Sequence, residues 1–195
     1  MKFRTAATAA LALTLTLAGC SAGSEDEDIM PGMDHGSSEQ AAGANDADVM
    51  FASMMIVHHE QAIEMSDIVL AKDDVHPEVV ELAEAIKTAQ GPEIEQLQGW
   101  LDDWGVDPDE GQMDGMDHGD GMMTEDDLAA LESADGAEAS RLFLEQMIVH
   151  HQGAVEMAQT QVDDGSNPDA VELAQTIIDA QTAEIQEMQD LLATL

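Results

Sequence analysis

The chain has 195 residues, of which 42 are acidic and 5 basic, giving a formal net charge of −37, with 14 methionines and a single cysteine. Such a charge repels nucleic acid and anionic lipid headgroups, and it gathers cations near the surface without choosing among them. Nothing resembles a nucleophile triad, a phosphate-cradling loop or a redox cysteine pair, so an enzymatic role has no positive support and an oxidase is only weakly indicated.

Lys2 and Arg4 precede an apolar run from Ala6 to Leu17, and Leu17-Ala18-Gly19-Cys20 follows. The run is too short to span a bilayer and small residues precede the cysteine, so residues 1–19 are expected to be a lipoprotein signal peptide. Cys20 would then be the lipidated first residue, anchoring the protein on the extracytoplasmic face of a bacterial cell membrane, at the cell surface or in a periplasm. The competing reading is a signal anchor with an incidental cysteine. With Cys20 lipidated no thiol remains, and methionine is the one soft ligand left to the chain. From Cys20 to about Asn45 the composition is Ser, Gly, Glu, Asp and Ala without periodicity, which predicts a flexible, disordered acidic tether over residues 20–45. It carries Met30-Pro31-Gly32-Met33-Asp34-His35-Gly36.

A first long helix is expected from a cap at Asp46 or Asp48 to about Lys72. At about 100° per residue, Phe51, Met55, His58, Ala62, Met65 and Val69 share one face, with His59 and Ser66 on its shoulder. Glu60, Glu64 and Asp67 fall opposite, so the buried face carries thioethers and imidazoles among aliphatic groups. After a tight connection at residues 73–76, Pro77 opens a second helix with Val80, Ala83, Ile86, Gln90, Ile94, Leu97 and Leu101 at helical spacing, ending near Trp104. Residues 105–136 form a linker that is rich in Gly, Asp and Met up to Met123 and carries Met113-Asp114-Gly115-Met116-Asp117-His118-Gly119. Within it Thr124 starts a short capped helix running to about Glu132. A third long helix is expected from about Ala137 to Val162, and Asn167-Pro168 opens a last one with Ala174, Ile177, Gln181, Ile185, Met188 and Leu192 at the same spacing.

The chain repeats itself. Phe51 to Met65 returns as Phe143 to Met157 at an offset of 92, and the second-helix pattern returns at 91. Two helical hairpins, 46–104 and 137–195, can bury their stripes on each other, which predicts one all-α domain over 46–195 built as a four-helix bundle. The tether and linker motifs both read Met-x-Gly-Met-Asp-His-Gly, but 16 residues separate His35 from Phe51 and 25 separate His118 from Phe143. These motifs are therefore not rigidly registered with the bundle.

A lone core histidine is usually hydrogen-bonded structure. Two adjacent pairs, His58/His59 and His150/His151, each beginning three residues after a methionine (Met55, Met147) with another methionine further on (Met65, Met157), point instead to metal ligation. Gln90 and Gln181 each interrupt an aliphatic stripe at the same place in the repeat, where a buried amide needs a partner, and an imidazole N–H is the economical one. Glu93 and Glu184 stand close by and could contribute. The chain contains no Glu-x-x-His, so oxygen-rich iron or manganese chemistry is disfavoured, and zinc would want thiolates, carboxylates or a third histidine. Thioether with imidazole points to copper. Core filling accounts for Met55, Met65, Met147, Met157 and Met188, but not for Met30, Met33, Met113, Met116, Met122 and Met123 in loops. Two functions follow from these residues. One is an exported copper-binding or copper-sequestering protein whose loop motifs, with Met30, Met33, His35, Met113, Met116 and His118, capture the ion. The other is a metal-free structural or protein-interaction bundle with satisfied core histidines. Self-association into a homo-oligomer stays open under both.

The pattern Phe-x-x-x-Met-Ile-x-His-His-x-x-Ala-x-x-Met, followed by a helix with Gln-x-x-Glu-Ile, resembles the bacterial family called Domain of Unknown Function 305. Phe51, Met55, Ile56, His58, His59, Ala62 and Met65 with Gln90, Glu93 and Ile94 match it once. Phe143, Met147, Ile148, His150, His151, Ala154 and Met157 with Gln181, Glu184 and Ile185 match it again. The resemblance covers about Asp46 to Leu195. It implies a ferritin-like helical bundle, an exported or lipid-anchored location, an association of some members with copper binding or resistance, and no established catalytic activity.

Overall fold

The computed structural model describes residues 43–106 and 121–195. Among these residues it is all-helical, with α1 (Asp46–Leu70), α2 (Pro77–Trp104), α3 (Glu125–Ser133), α4 (Gly136–Asp164) and α5 (Pro168–Leu192). Cys20, Met30, Met33, His35, Met113, Met116 and His118 lie outside the described residues. No helix among the described residues is long and apolar enough to cross a membrane.

α1, α3, α4 and α5 begin where a side chain can take up a first free N–H group, whereas α2 opens on Pro77 with no side-chain cap. Thr124 accepts from the Asp127 N–H and Asp127 accepts from the Thr124 N–H, the reciprocal box that starts α3. The cap of α1 is Asn45, not Asp46 or Asp48. Its side chain accepts from the Asp48 N–H at 3.0 Å, while Asp48 accepts from the Asn45 N–H at 2.7 Å. Asp48 is then used a second time, because its buried carboxylate also accepts from Gln161 Nε2 at 2.6 Å, from the Ser166 hydroxyl at 2.9 Å and from the Asn167 N–H at 3.1 Å. Burial pushes this carboxyl up, but the hydrogen bonds from Asn45, Gln161, Asn167 and Ser166 together outweigh it and hold the pKa below the ordinary value. One carboxylate thereby ties the start of α1 to the turn between α4 and α5. At the other end of the molecule, Gly136 at the start of α4 lies against the turn after α1, where a Cβ would collide with the Asp73 carbonyl.

α1 packs on α2 and α4 packs on α5, and the two pairs meet through α1 and α4, with α3 resting on both of those central helices. Two apolar clusters result. The first joins Ala62, Met65 and Val69 of α1 to Val79, Leu82 and Ile86 of α2, Phe143 and Met147 of α4, and Met188 of α5. The second joins Phe51, Ala52 and Met55 of α1 to Leu97 and Leu101 of α2, Ala154 and Ala158 of α4, and Ala174 and Ile177 of α5. Each large side chain fully withdrawn from water here contributes about 1.5–3 kcal/mol. The late part of α1 shares a cluster with the early part of α4, and the early part of α1 with the late part of α4, so these central helices run antiparallel. Between the clusters every long helix turns polar: His58 and His59 on α1, Gln90 and Glu93 on α2, His150 and His151 on α4, Gln181 and Glu184 on α5.

Candidate metal centre

This polar layer is buried. His58, His59, His150 and His151 are each 0–1% exposed, and Gln90 and Gln181 are each 3% exposed. The apolar clusters above and below enclose the layer, so the helices cannot turn these residues outward without also exposing Met55, Phe143 or Ile86.

The imidazoles fall into two kinds. His59 Nε2 lies 2.8 Å from Glu93 Oε2, and His151 Nε2 lies 2.7 Å from Glu184 Oε2. The carboxylates are about one-fifth exposed and stand at the margin of the layer. A carboxylate oxygen accepts, which assigns the proton to Nε2 and, in the neutral ring, leaves the buried Nδ1 as a bare lone pair. The partners of these imidazoles are thus Glu93 and Glu184, where sequence reasoning expected Gln90 and Gln181. The amide oxygens of both glutamines are buried without a partner. Helical spacing explains the exchange, because Glu93 and Glu184 lie one turn beyond the glutamines and reach the second histidine of each pair.

His58 and His150 meet across the α1–α4 seam with ring centroids 3.7 Å apart and planes tilted by 41°. Burial, followed by the nearby His59 and His151, lowers the pKa of His58 to about 3. Burial, followed by His58, His151 and His59, drives that of His150 well below its ordinary value, and the backbone of His58 opposes this without forming a hydrogen bond of ordinary geometry. Both rings are therefore neutral at pH 7. Neither nitrogen of either ring has a hydrogen-bond partner, and Nδ1 of His59 and His151 has none. Six buried imidazole nitrogens without partners depart from the rule that buried polar atoms are paired, and each such atom costs about 1–3 kcal/mol.

Thioethers lie on both sides of the layer. Met65 and Met147 are fully buried in the first cluster, Met55 is fully buried in the second, and Met157 is half-buried at the margin of the second. Among the described residues no three His, Cys, Asp or Glu side chains converge as a ready ligand cluster. The layer therefore offers imidazole nitrogens, with thioethers in the clusters on either side and two carboxylates behind His59 and His151, and this donor set suits a soft or borderline cation.

Sequence reasoning missed two features. Pro92 lies inside α2, between Gln90 and Glu93, where it removes a helical N–H donor. Gln61 and Gly153, which occupy matching positions at the offset of 92, both touch the end of the linker. Their dissimilarity within a matched stretch was the available signal.

Residues 48–192 match the family model described as a domain of unknown function, DUF305, and the chain belongs to that family. A crystal structure of a DUF305 protein from Streptomyces coelicolor, described as secreted, is 35% identical, with a TM-score of 0.70 over 76% of this chain and 93% of that one. A DUF305 fragment from Deinococcus radiodurans is 32% identical, with a TM-score of 0.71 over 78% of this chain and 99% of that one. CopM in its Cu(I)-bound form is 34% identical, with a TM-score of 0.62 over 75% of this chain and 96% of that one, and CopM is also similar in Cu(II)-bound and silver-bound forms. No curated protein matches the chain.

Proposed function

We propose that this protein binds and sequesters copper outside the cytoplasm, holding the ion at the buried imidazole layer with His58, His59, His150 and His151 as nitrogen ligands. The observation that carries this reading is the set of six buried imidazole nitrogens without partners, since a fold does not keep several such costs in its centre without a compensating ligand. Thioethers from Met55, Met65, Met147 and Met157 complete the donor set, and their softness favours Cu(I). Glu93 and Glu184 hold the second imidazole of each pair and supply negative charge behind it. The copper-bound and silver-bound forms of CopM support the choice of ion. The alternative of a metal-free interaction bundle expects satisfied core histidines, and neither nitrogen of His58 or His150 has a partner.

The duplicated stretches are read as two hairpins closing a four-helix bundle around this layer. Met30, Met33, His35, Met113, Met116 and His118 act as capture groups outside it, and Cys20 is the lipid anchor. The relative described as a secreted protein supports an extracytoplasmic location. Cys20→Ser is expected to move the protein from the membrane to the soluble fraction, and unchanged membrane retention would refute the anchor.

The test of function is a Cu(I) competition titration of the full chain, purified without an affinity tag, against a chromophoric chelator. Binding that weakens at least about tenfold in His58→Leu/His150→Leu is expected. Full retention of affinity in that variant would refute the buried site.

A further inference from the structure

The linker returns to the helices across the seam that holds His58 and His150. Gly121, with φ near +100°, lies so close to α4 that a Cβ would stand 2.8 Å from the Val149 carbonyl oxygen and 2.9 Å from Gly153 Cα. Two residues later the chain is on α1, where Gln61 Nε2 donates to the Met123 carbonyl at 2.9 Å and the Met123 N–H donates to Gln61 Oε1 at 2.7 Å. Gly121 to Met123 is therefore a strap from α4 to α1. The two matched positions differ at the seam: the backbone of Gly153 lies where Gly121 of the strap comes closest to α4, and the amide of Gln61 holds Met123 on α1.

The place where it crosses matters. α1 and α4 are antiparallel with His58 against His150, so Gly153 lies to one side of that contact along the helix axes and Gln61 lies to the other. Met122, between the two attachments, crosses the level of the histidine contact. Met122 and Met123 are both half-buried, and Met123 packs on the cluster that contains Met65 and Met147. Two half-buried methionines thus stand on the strap where it crosses the α1–α4 seam.

Resting on the reading of the layer as a copper site, we propose that Met122 and Met123, held across the α1–α4 seam by Gln61 and Gly153, form a thioether transfer site for a soft monovalent cation moving between solvent and the buried imidazoles. The step is ligand exchange, in which thioether sulfur is replaced by imidazole nitrogen without a change of oxidation state. Gln61 is a positioning residue, since it touches the strap and not the ion.

The experiment follows Cu(I) uptake by the full chain, and its loss to excess chromophoric chelator, under anaerobic reducing conditions. Met122→Leu/Met123→Leu keeps apolar volume. It is expected to slow uptake and loss together by about tenfold while the equilibrium affinity of the buried site stays within about twofold. Gln61→Ala leaves both sulfurs in place but releases the strap, and it is expected to slow transfer in the same way. Unchanged rates in the methionine variant would overturn the proposal, and faster rates in Gln61→Ala would overturn it in favour of a passive cover. His58→Leu/His150→Leu separates the two levels: if its binding is undiminished the buried-site reading fails, whereas weakened binding there with unaltered rates in the strap variants removes the transfer site alone.

Discussion

Replacing His58 and His150 together by leucine tests whether the centre of this protein gives up stability for ligand binding. The two rings carry four of the six partnerless nitrogens, and at about 1–3 kcal/mol for each unsatisfied buried group even a heavily discounted sum leaves about 2–4 kcal/mol to be recovered. Leucine is of similar size and joins the apolar clusters on either side, so the metal-free variant should be more stable than the parent. For a domain of this size that gain corresponds to a rise in Tm of about 5–15 °C. Copper should reverse the order of benefit. A ligand at a hundred times its dissociation constant stabilises the parent by about 2.7 kcal/mol, and the variant, lacking the ligands, should gain almost nothing. Differential scanning calorimetry of both proteins with and without Cu(I) gives four midpoints. A metal-free variant that melts below the parent would show that the imidazoles were satisfied core groups, and a copper-induced shift of parental size in the variant would place the ion elsewhere.

Three further outcomes follow from the same geometry. The folded-state pKa of His58 lies at about 3 and that of His150 well below the unfolded value of 6.5, so below about pH 6.5 the unfolded chain binds more protons than the native one until these folded values are passed. Stability is then fully present above pH 6.5 and falls on acidification by about 1.4 kcal/mol per pH unit for each histidine. Urea unfolding at several pH values should show this slope in the parent and a shallower one in His58→Leu/His150→Leu. Asp48, whose pKa is lowered from 3.8, loses its contribution only as the pH falls below that value, so it adds to the slope at the acid end of the histidine window alone. Glu93→Gln/Glu184→Gln keeps an oxygen to accept from each imidazole but removes the charge behind it. Cu(I) affinity in the competition titration should fall about ten- to hundredfold with little change in metal-free Tm, and an unchanged affinity would contradict the role given to the carboxylates. Pro92→Ala restores a helical N–H, and the matched residue in α5 is already Ala183. It should raise stability by about 2 kcal/mol, or Tm by about 4–8 °C, and a lower Tm would mean that the proline is needed to place Gln90 and Glu93.

The long helices were legible because their signals are local: a stripe at helical spacing from Phe51 to Val69, proline at the first position in Pro77 and Pro168, and Thr124 followed by Asp127. The cap of α1 is Asn45 where Asp46 or Asp48 was expected, since Asn45 and Asp48 serve each other and the pattern of acidic residues alone cannot say which one leads. The pairing inside the polar layer was legible only in part. Sequence periodicity places His59, Gln90 and Glu93 on facing stripes, but which of two polar groups three residues apart meets the ring depends on the rotation of α2 about its own axis, and tertiary packing sets that rotation. The strap was illegible for a related reason. Gly121 to Met123 lies in a segment without periodicity, and nothing in its composition says which helix face it will cross.

The position of the histidines also explains why the same motif can serve a fold and a site at once. Had the pairs been at a helix end, water could have solvated their free nitrogens and the protein would have gained no selectivity by burying them. Midway along four helices, the apolar clusters exclude water from both sides, so a cation that enters must replace its hydration shell with whatever the layer supplies. Strongly hydrated, hard cations lose most in that exchange, because neutral nitrogen and sulfur do not replace oxygen ligands. On the proposed copper reading, the acidic surface, which gathers all cations alike, and the buried layer, which is costly for hard ones, would act in series, with discrimination at the crossing between them.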